Sequence, residues 1–241
     1  MEVVILVVVF GLVAEAIGWM QHQAQAARRD ALARVAAEQG MRFDAKPRDW
    51  GGGWLSSRSP LAPFPVFQKG HSRRSTNHVE GKLRAWDREL PATVADYRYK
   101  ITSGTGKNRR TRTYQLSFLL LRLPFGHRVP WLCVRREHLG HKIAAVAGFD
   151  DIDFESAEFS RRFHVTSKDR RFAYNLIDPR MIEFLLDVEP PEIAINEGFL
   201  LVTPAAGSRL WAPQDFAAAC RWTEDFLARW PQFVVKDLSS A

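Results

Sequence analysis

The sequence predicts an α+β fold: an N-terminal transmembrane helix, then a mainly antiparallel β domain with a helical insert and a C-terminal helix. Three observations predict it. The chain opens on a long apolar run, its middle carries β-rich segments separated by short turns, and its end carries one strongly amphipathic helical stretch.

The apolar run is Val3 to Met20, whose only charge is Glu15. As a helix it would be about 27 Å long, close to the hydrocarbon thickness of a bilayer. Val3, Ile5, Leu6, Phe10, Leu12 and Ile17 would face lipid, with Trp19 at the interface. Arg28, Arg29 and Arg34 follow the run, while Glu2 precedes it with no Lys or Arg. The positive-inside rule then puts the domain in the cytoplasm, behind a single-pass anchor over 1–27 in a cell membrane. Glu15 is the weak point, leaving Val3 to Ala14 as the unbroken apolar stretch. A helix continuing to Gln39 and capped by Gly40 is expected next, from Ala31, Leu32, Val35 and Ala36 at spacings of three and four. A Gly-, Pro- and Trp-rich linker completes 28–63, and 64–241 forms the soluble domain.

Strands are expected at Val66 to Lys69, His78 to Trp86, Thr93 to Thr102, Arg112 to Leu123 and Trp131 to Arg135. The turns between them are short, Arg88-Glu89-Leu90-Pro91 among them, which implies antiparallel neighbours. Leu116 to Leu121 is almost entirely apolar and reads as a central strand covered on both sides. Next comes a helical insert at about 137–190: a stripe of Leu139, Ile143, Val146 and Ala147, a brief strand at Phe163 to Ser167, and helices at Asp169 to Ile177 and from Asp178-Pro179. Ile193 to Ile195 and Phe199 to Thr203 form a hairpin about Asn196-Glu197-Gly198. Pro213 to Trp230 is the amphipathic helix, stopped by Pro231. Seven antiparallel strands closed by this helix would resemble a pleckstrin-homology-like barrel.

Composition narrows the function classes. The 241 residues are 46% apolar and 25% charged, the balance of a globular domain, and 34 basic against 27 acidic residues leave a net charge of +7. Such an excess points to anionic partners: lipid headgroups, an acidic protein or nucleic acid. The two cysteines, Cys133 and Cys220, read as buried thiols and not as a disulfide framework.

The most distinctive local feature is Lys100 to Arg112, with Lys100, Lys107, Arg109, Arg110 and Arg112 and no acid. A phosphate-binding P-loop is excluded there, because Ile101 stands where its first Gly belongs and Asn108 where its Ser or Thr belongs. The segment reads as a basic hairpin with a glycine-rich tip, a contact surface for anionic lipid or an acidic protein. Nucleic acid is disfavoured, since Tyr97, Tyr99 and Tyr114 fall at strand spacing and read as structural. An alternative is a hydrolase or metal-dependent enzyme using His138 and His141 with the acids Asp150, Asp151, Asp153, Glu155 and Glu158. No nucleophile elbow, zinc-protease helix or dinucleotide fingerprint occurs, and no cofactor is implied.

Phe154-Glu155-Ser156, the Glu-Phe-x-x-x-Phe of Glu158 to Phe163, Asp178-Pro179-Arg180-Met181, and Asp96-Tyr97-Arg98-Tyr99 with its following basic turn are the chain's other distinctive motifs. With these elements the chain resembles bacterial single-pass, membrane-anchored proteins filed under domains of unknown function. The resemblance implies the anchored architecture and a bacterial source, and it transfers no site residue.

Overall fold

The structure, a computed structural model, describes residues 2–48, 59–136, 150–187, 190–205 and 209–240. One antiparallel sheet organises them. Its nine strands are β1 (Arg42–Asp44), β2 (His71–Ala85), β3 (Arg88–Ser103), β4 (Arg110–Arg122), β5 (Leu132–Arg136), β6 (Asp150–Asp151), β7 (Phe163–Ser167), β8 (Glu192–Asn196) and β9 (Phe199–Thr203). Their order across the sheet is β1-β2-β3-β4-β9-β8-β5-β7-β6. The helices are α1 (Glu2–Glu38), α2 (Ala157–Arg162), α3 (Arg170–Leu176), α4 (Pro179–Asp187), α5 (Pro213–Ala228) and α6 (Gln232–Ser240).

Among the described residues no helix is long and apolar enough to cross a membrane. That overturns the transmembrane part of the expected fold, the single-pass anchor and the cell-membrane location with its cytoplasmic orientation. Glu15 interrupts the apolar run, and α1 continues as one 37-residue helix through the polar stretch after Met20 to Glu38. Its last turns belong to the folded body, with Leu32 and Ala36 buried in the core. Leu12, Ile17 and Trp19 are exposed. The side chains of Val3, Ile5, Leu6 and Phe10 lie outside the described residues.

The closed barrel is corrected as well. The sheet is open, edged by β1 and β6, because β6 and β7 from the expected insert extend it beyond β5. Val66 to Lys69 is no strand either: Pro65–Gln68 forms a 3-10 turn. Arg88 to Pro91 lies within β3, and the reversal falls one step earlier, at Trp86-Asp87 with φ of 52° and 58°. Positive φ at two successive residues suits a tight hairpin turn, as again at Glu197-Gly198. The strand at Phe163–Ser167 forms as expected, and so do the β8–β9 hairpin and α3 to α5. Asp169 and Asp178 cap α3 and α4 by accepting from the Phe172 and Met181 amides. The expected helix over Leu139 to Gly148 lies outside the described residues.

Strand alternation divides the core in two. Val79, Leu83, Val94, Leu119, Leu121, Leu200 and Val202 face α1 and α5 in the larger cluster. Ala95, Tyr97, Tyr99, Leu116, Phe118 and Leu120 point the other way and are covered by Leu61, Phe64 and Phe67. Every residue from Leu116 to Leu121 is buried, as a strand covered on both faces requires.

Both cysteines are free and buried. Burial pushes the Cys220 thiol up to about 12 and also raises Cys133, although Arg135 Nε donates to Cys133 Sγ at 3.1 Å. We expect neither thiol to react with a disulfide reagent at pH 8 until the chain is unfolded; rapid labelling of the native protein would contradict this burial.

Candidate functional site

The ribbon formed by β2, β3 and β4 outruns the core at one end of the sheet. Tyr99 is the last buried residue of β3, and β4 is buried only from Leu116 onward. Ile101 and Tyr114 are half-buried against the second cluster, and beyond them Thr102 and Ser103, at about 3.3 Å per residue, carry the hairpin about 7 Å further before its loop begins. The loop is a 3-10 turn, Gly106–Asn108, entered through Gly104 at φ 81°. A Cβ on Gly104 would meet the Asn108 carbonyl oxygen at 2.4 Å, so this tight return needs glycine there.

All five predicted basic residues lie on this ribbon. Lys107, Arg109, Arg110 and Arg112 are exposed and Lys100 is half-buried. Their side chains make no ion pair or hydrogen bond among the described residues. Register assigns them to both faces: Arg110 lies opposite Ser103 and Arg112 opposite Ile101, on the Tyr99 side, while Lys100 lies on the α1 side. Sequence reading missed the contribution of β2. Pairing His71 with Lys100 and Arg74 with Arg98 brings further basic residues alongside the hairpin.

Two polar clusters sit at the root of the ribbon. On the α1 side, Asp96 is 6% exposed and fully engaged. Arg28 of α1 donates from Nε and Nη2 to its two carboxylate oxygens, both at 2.8 Å; Asn77 Nδ2 donates at 2.9 Å and Ser117 Oγ at 2.7 Å. Arg28 Nη1 also donates to the Trp211 carbonyl at 2.8 Å, so a single guanidinium joins α1, the sheet and the segment entering α5.

On the opposite face, Arg48 bridges Asp44, at 2.8 Å, and Glu80, which also pairs with Arg42. The hydrogen bond from Arg48, with one from the Lys46 amide, holds the Asp44 carboxyl down at about 2, and Arg48 likewise lowers Glu80. A carboxylate depressed in the folded state stabilises the fold above its unfolded pKa and loses that contribution as pH falls through the folded value. Arg48→Ala should therefore flatten the fall in stability between about pH 4 and pH 2. Acid titrations superimposing on wild type would contradict the pairing.

Ser75 and His78 meet beneath Arg48, with Ser75 Oγ 2.8 Å from His78 Nε2. Residues i and i+3 of a regular strand face opposite ways, but the register shift between Thr76 and Val79, with Asn77 at φ 56°, puts both on one face. The pair superficially suits nucleophilic catalysis, yet both residues are 0% exposed. The Ser75 hydroxyl also lies 3.3 Å from the Arg48 carbonyl, and with both side chains sealed from solvent no substrate can reach them. Burial, then Arg48, lowers the His78 pKa and keeps the ring neutral. The arrangement braces the β1–β2 edge.

The described acids of the enzymatic alternative do not converge. Asp153, Glu155 and Glu158 are exposed, and Glu158 pairs with Arg162 at 3.4 Å. The side chains of Asp150 and Asp151, and all of His138 and His141, lie outside the described residues. Among the described residues no group of three or more His, Cys, Asp or Glu is placed to hold a metal.

No protein-family model matches the chain, and no curated protein matches it. Among solved structures it is similar to the crystal structure of the mycobacterial trehalose monomycolate transport factor A, TtfA. The two share 14% identity over 86% of this chain and 96% of that one, with a TM-score of 0.50. At that identity the likeness speaks for the fold of the sheet and its helices alone.

Proposed function

We propose that this chain is a binding or scaffolding module that engages an acidic protein surface through the basic end of the β2–β3–β4 ribbon. The observation that supports it is the set Lys107, Arg109, Arg110 and Arg112: exposed cations at the end of a projecting hairpin, with no acid within Lys100 to Arg112 and no internal partner among the described residues. An acidic cleft suits the ribbon better than a flat bilayer does. Cations stand on both faces, and a plane would neutralise only one of them. No large apolar residue of the ribbon is exposed, so nothing there would insert among acyl chains. Complementary charge of this kind sets association rate and partner choice more than bulk affinity.

Binding of fluorescent poly-L-glutamate by the full chain tests the reading, with vesicles containing phosphatidylserine as the second probe. Arg109→Glu with Arg110→Glu should weaken poly-L-glutamate binding at least tenfold and leave the melting temperature unchanged, since neither side chain has a partner to lose. Binding to anionic vesicles and not to poly-L-glutamate would replace the protein partner with lipid. Binding indifferent to the double reversal would overturn the ribbon as the contact surface.

A further inference from the structure

The α1-side face of the ribbon carries an arrangement that partner docking at the tip does not explain. Arg74 lies directly opposite Arg98 in the β2–β3 register, and His71 lies directly opposite Lys100. Direct cross-strand partners hold their Cβ atoms about 5 Å apart, where like charges oppose folding. A sheet edge normally relieves such a pair with an acid. Among the described residues the only acid next along this face, Asp96, is consumed by Arg28, Asn77 and Ser117. Arg74, Arg98 and Lys100 have no ion-pair or hydrogen-bond partner among the described residues.

The backbone is shaped to keep this cluster together. A register shift separates His71 from Arg74, with Ser72 between them at φ 52°, an unusual conformation for a residue with a side chain. Just before it, Gly70 at φ 62° brings β2 so close to β3 that a Cβ would lie 2.1 Å from the Lys100 carbonyl oxygen. Without that bulge Arg74 would fall on the opposite face from His71. A chain of polar groups then crosses all three strands: His71 Nε2 lies 2.9 Å from Thr102 Oγ1, which lies 2.8 Å from Thr111 Oγ1. With Nε2 protonated, the donors run in sequence and leave the Thr111 hydroxyl proton free to point outward.

We propose that this face binds a phosphate group, with Arg74, Arg98 and Lys100 as its cationic ligands and His71, Thr102 and Thr111 ordering the hydroxyl donor beside them. Two guanidinium forks, an ammonium and a hydroxyl offer more donors than a carboxylate's two oxygens can use, and they match the three free oxygens of a phosphate monoester. The inference goes beyond the acidic-partner reading, since His71, Arg74 and Arg98 lie outside the hairpin that carries that reading, which contributes Lys100, Thr102 and Thr111.

The test is a titration of inorganic phosphate into the isotope-labelled full chain at constant ionic strength, with chloride as reference. Saturable shifts are expected at His71, Arg74, Arg98, Lys100 and Thr111, and Arg98→Gln should weaken the affinity at least fivefold. Without phosphate, the same substitution should raise the melting temperature by about 1–3 °C, because it relieves repulsion by Arg74. Lys100→Gln provides a second variant. Displacement of free phosphate by vesicles containing phosphatidate would identify a lipid headgroup as the source, and no displacement a soluble phosphate ester. Shifts that chloride reproduces, or an Arg98→Gln affinity equal to wild type, would overturn the site. Poly-L-glutamate binding on the same samples separates the two readings: phosphate saturation without it leaves this site standing alone, and the reverse removes this site only.

Discussion

Replacing Arg28 by alanine should lower the stability of the folded chain by about 3 kcal/mol. Breaking one side of a buried ion pair costs about 3–5 kcal/mol because the remaining charge is left uncompensated. The lower end applies here: the Arg28 side chain is 18% exposed, and Asn77 and Ser117 still donate to Asp96. What is lost is a bidentate pair plus the bond to the Trp211 carbonyl, so α1 and the segment entering α5 should loosen together. Urea unfolding measures the cost, and amide exchange at Leu32 and Phe216 reads the coupled loosening. A second variant separates pairing from packing. Arg28→Met combined with Asp96→Val removes both charges and should recover most of the loss, as apolar replacements of buried pairs commonly do. A single Arg28→Ala cost below about 1 kcal/mol would mean that the pair is screened like a surface bridge.

The second large effect is expected at Phe118. Its ring is 0% exposed and packs edge-on against Phe67 at 5.0 Å, while the Tyr97 hydroxyl donates to the Phe67 carbonyl at 3.0 Å. Phe118→Ala would leave a cavity under the segment that covers the second face, at a cost of about 3–5 kcal/mol. At about 2–4 °C per kcal/mol for a domain of this size, the melting temperature should fall by roughly 10 °C. Increased amide exchange should concentrate at Phe64 and Phe67, because Leu61, Phe64 and Phe67 form the cover over this half of the core. A loss below about 1 kcal/mol would show that the cover does not seal the sheet.

How much of this was legible in the sequence depends on the range of the interactions. Local signals were read correctly where they were self-sufficient. Asp169 and Asp178 cap their helices, Glu197-Gly198 turns its hairpin, and the apolar run of β4 is buried on both faces. The hairpin tip was also visible, because glycines and an unbroken run of bases need no distant partner to be recognised. Local reading failed at Val66, where Pro65 starts a helical turn that a β-branched residue alone does not reveal. It failed again at the N-terminus, where the apolar run suggests a membrane span that no described helix is apolar enough to make, although the expected continuation of that helix to about Gln39 does form.

The root of the ribbon was illegible for a different reason. Arg28 and Asp96 are 68 residues apart, and nothing in either neighbourhood marks them as partners. Ser75 and His78 are close in sequence, but only the bulge at Asn77 turns them onto one face, and a regular strand would separate them. The opposition of Arg74 to Arg98 depends on register, which two bulges in β2 set and which composition does not encode.

The projecting basic ribbon is the proposed contact surface of this molecule. Its most direct test is the salt dependence of poly-L-glutamate binding, compared between the wild-type chain and Lys107→Glu/Arg109→Glu/Arg110→Glu/Arg112→Glu. Between about 0.05 and 0.3 M salt, screening should weaken wild-type binding at least tenfold. The four-fold reversal should show no binding at either concentration while retaining the wild-type melting curve. Tight, salt-insensitive binding that survives the reversal would contradict the claim and move the contact surface elsewhere on the fold.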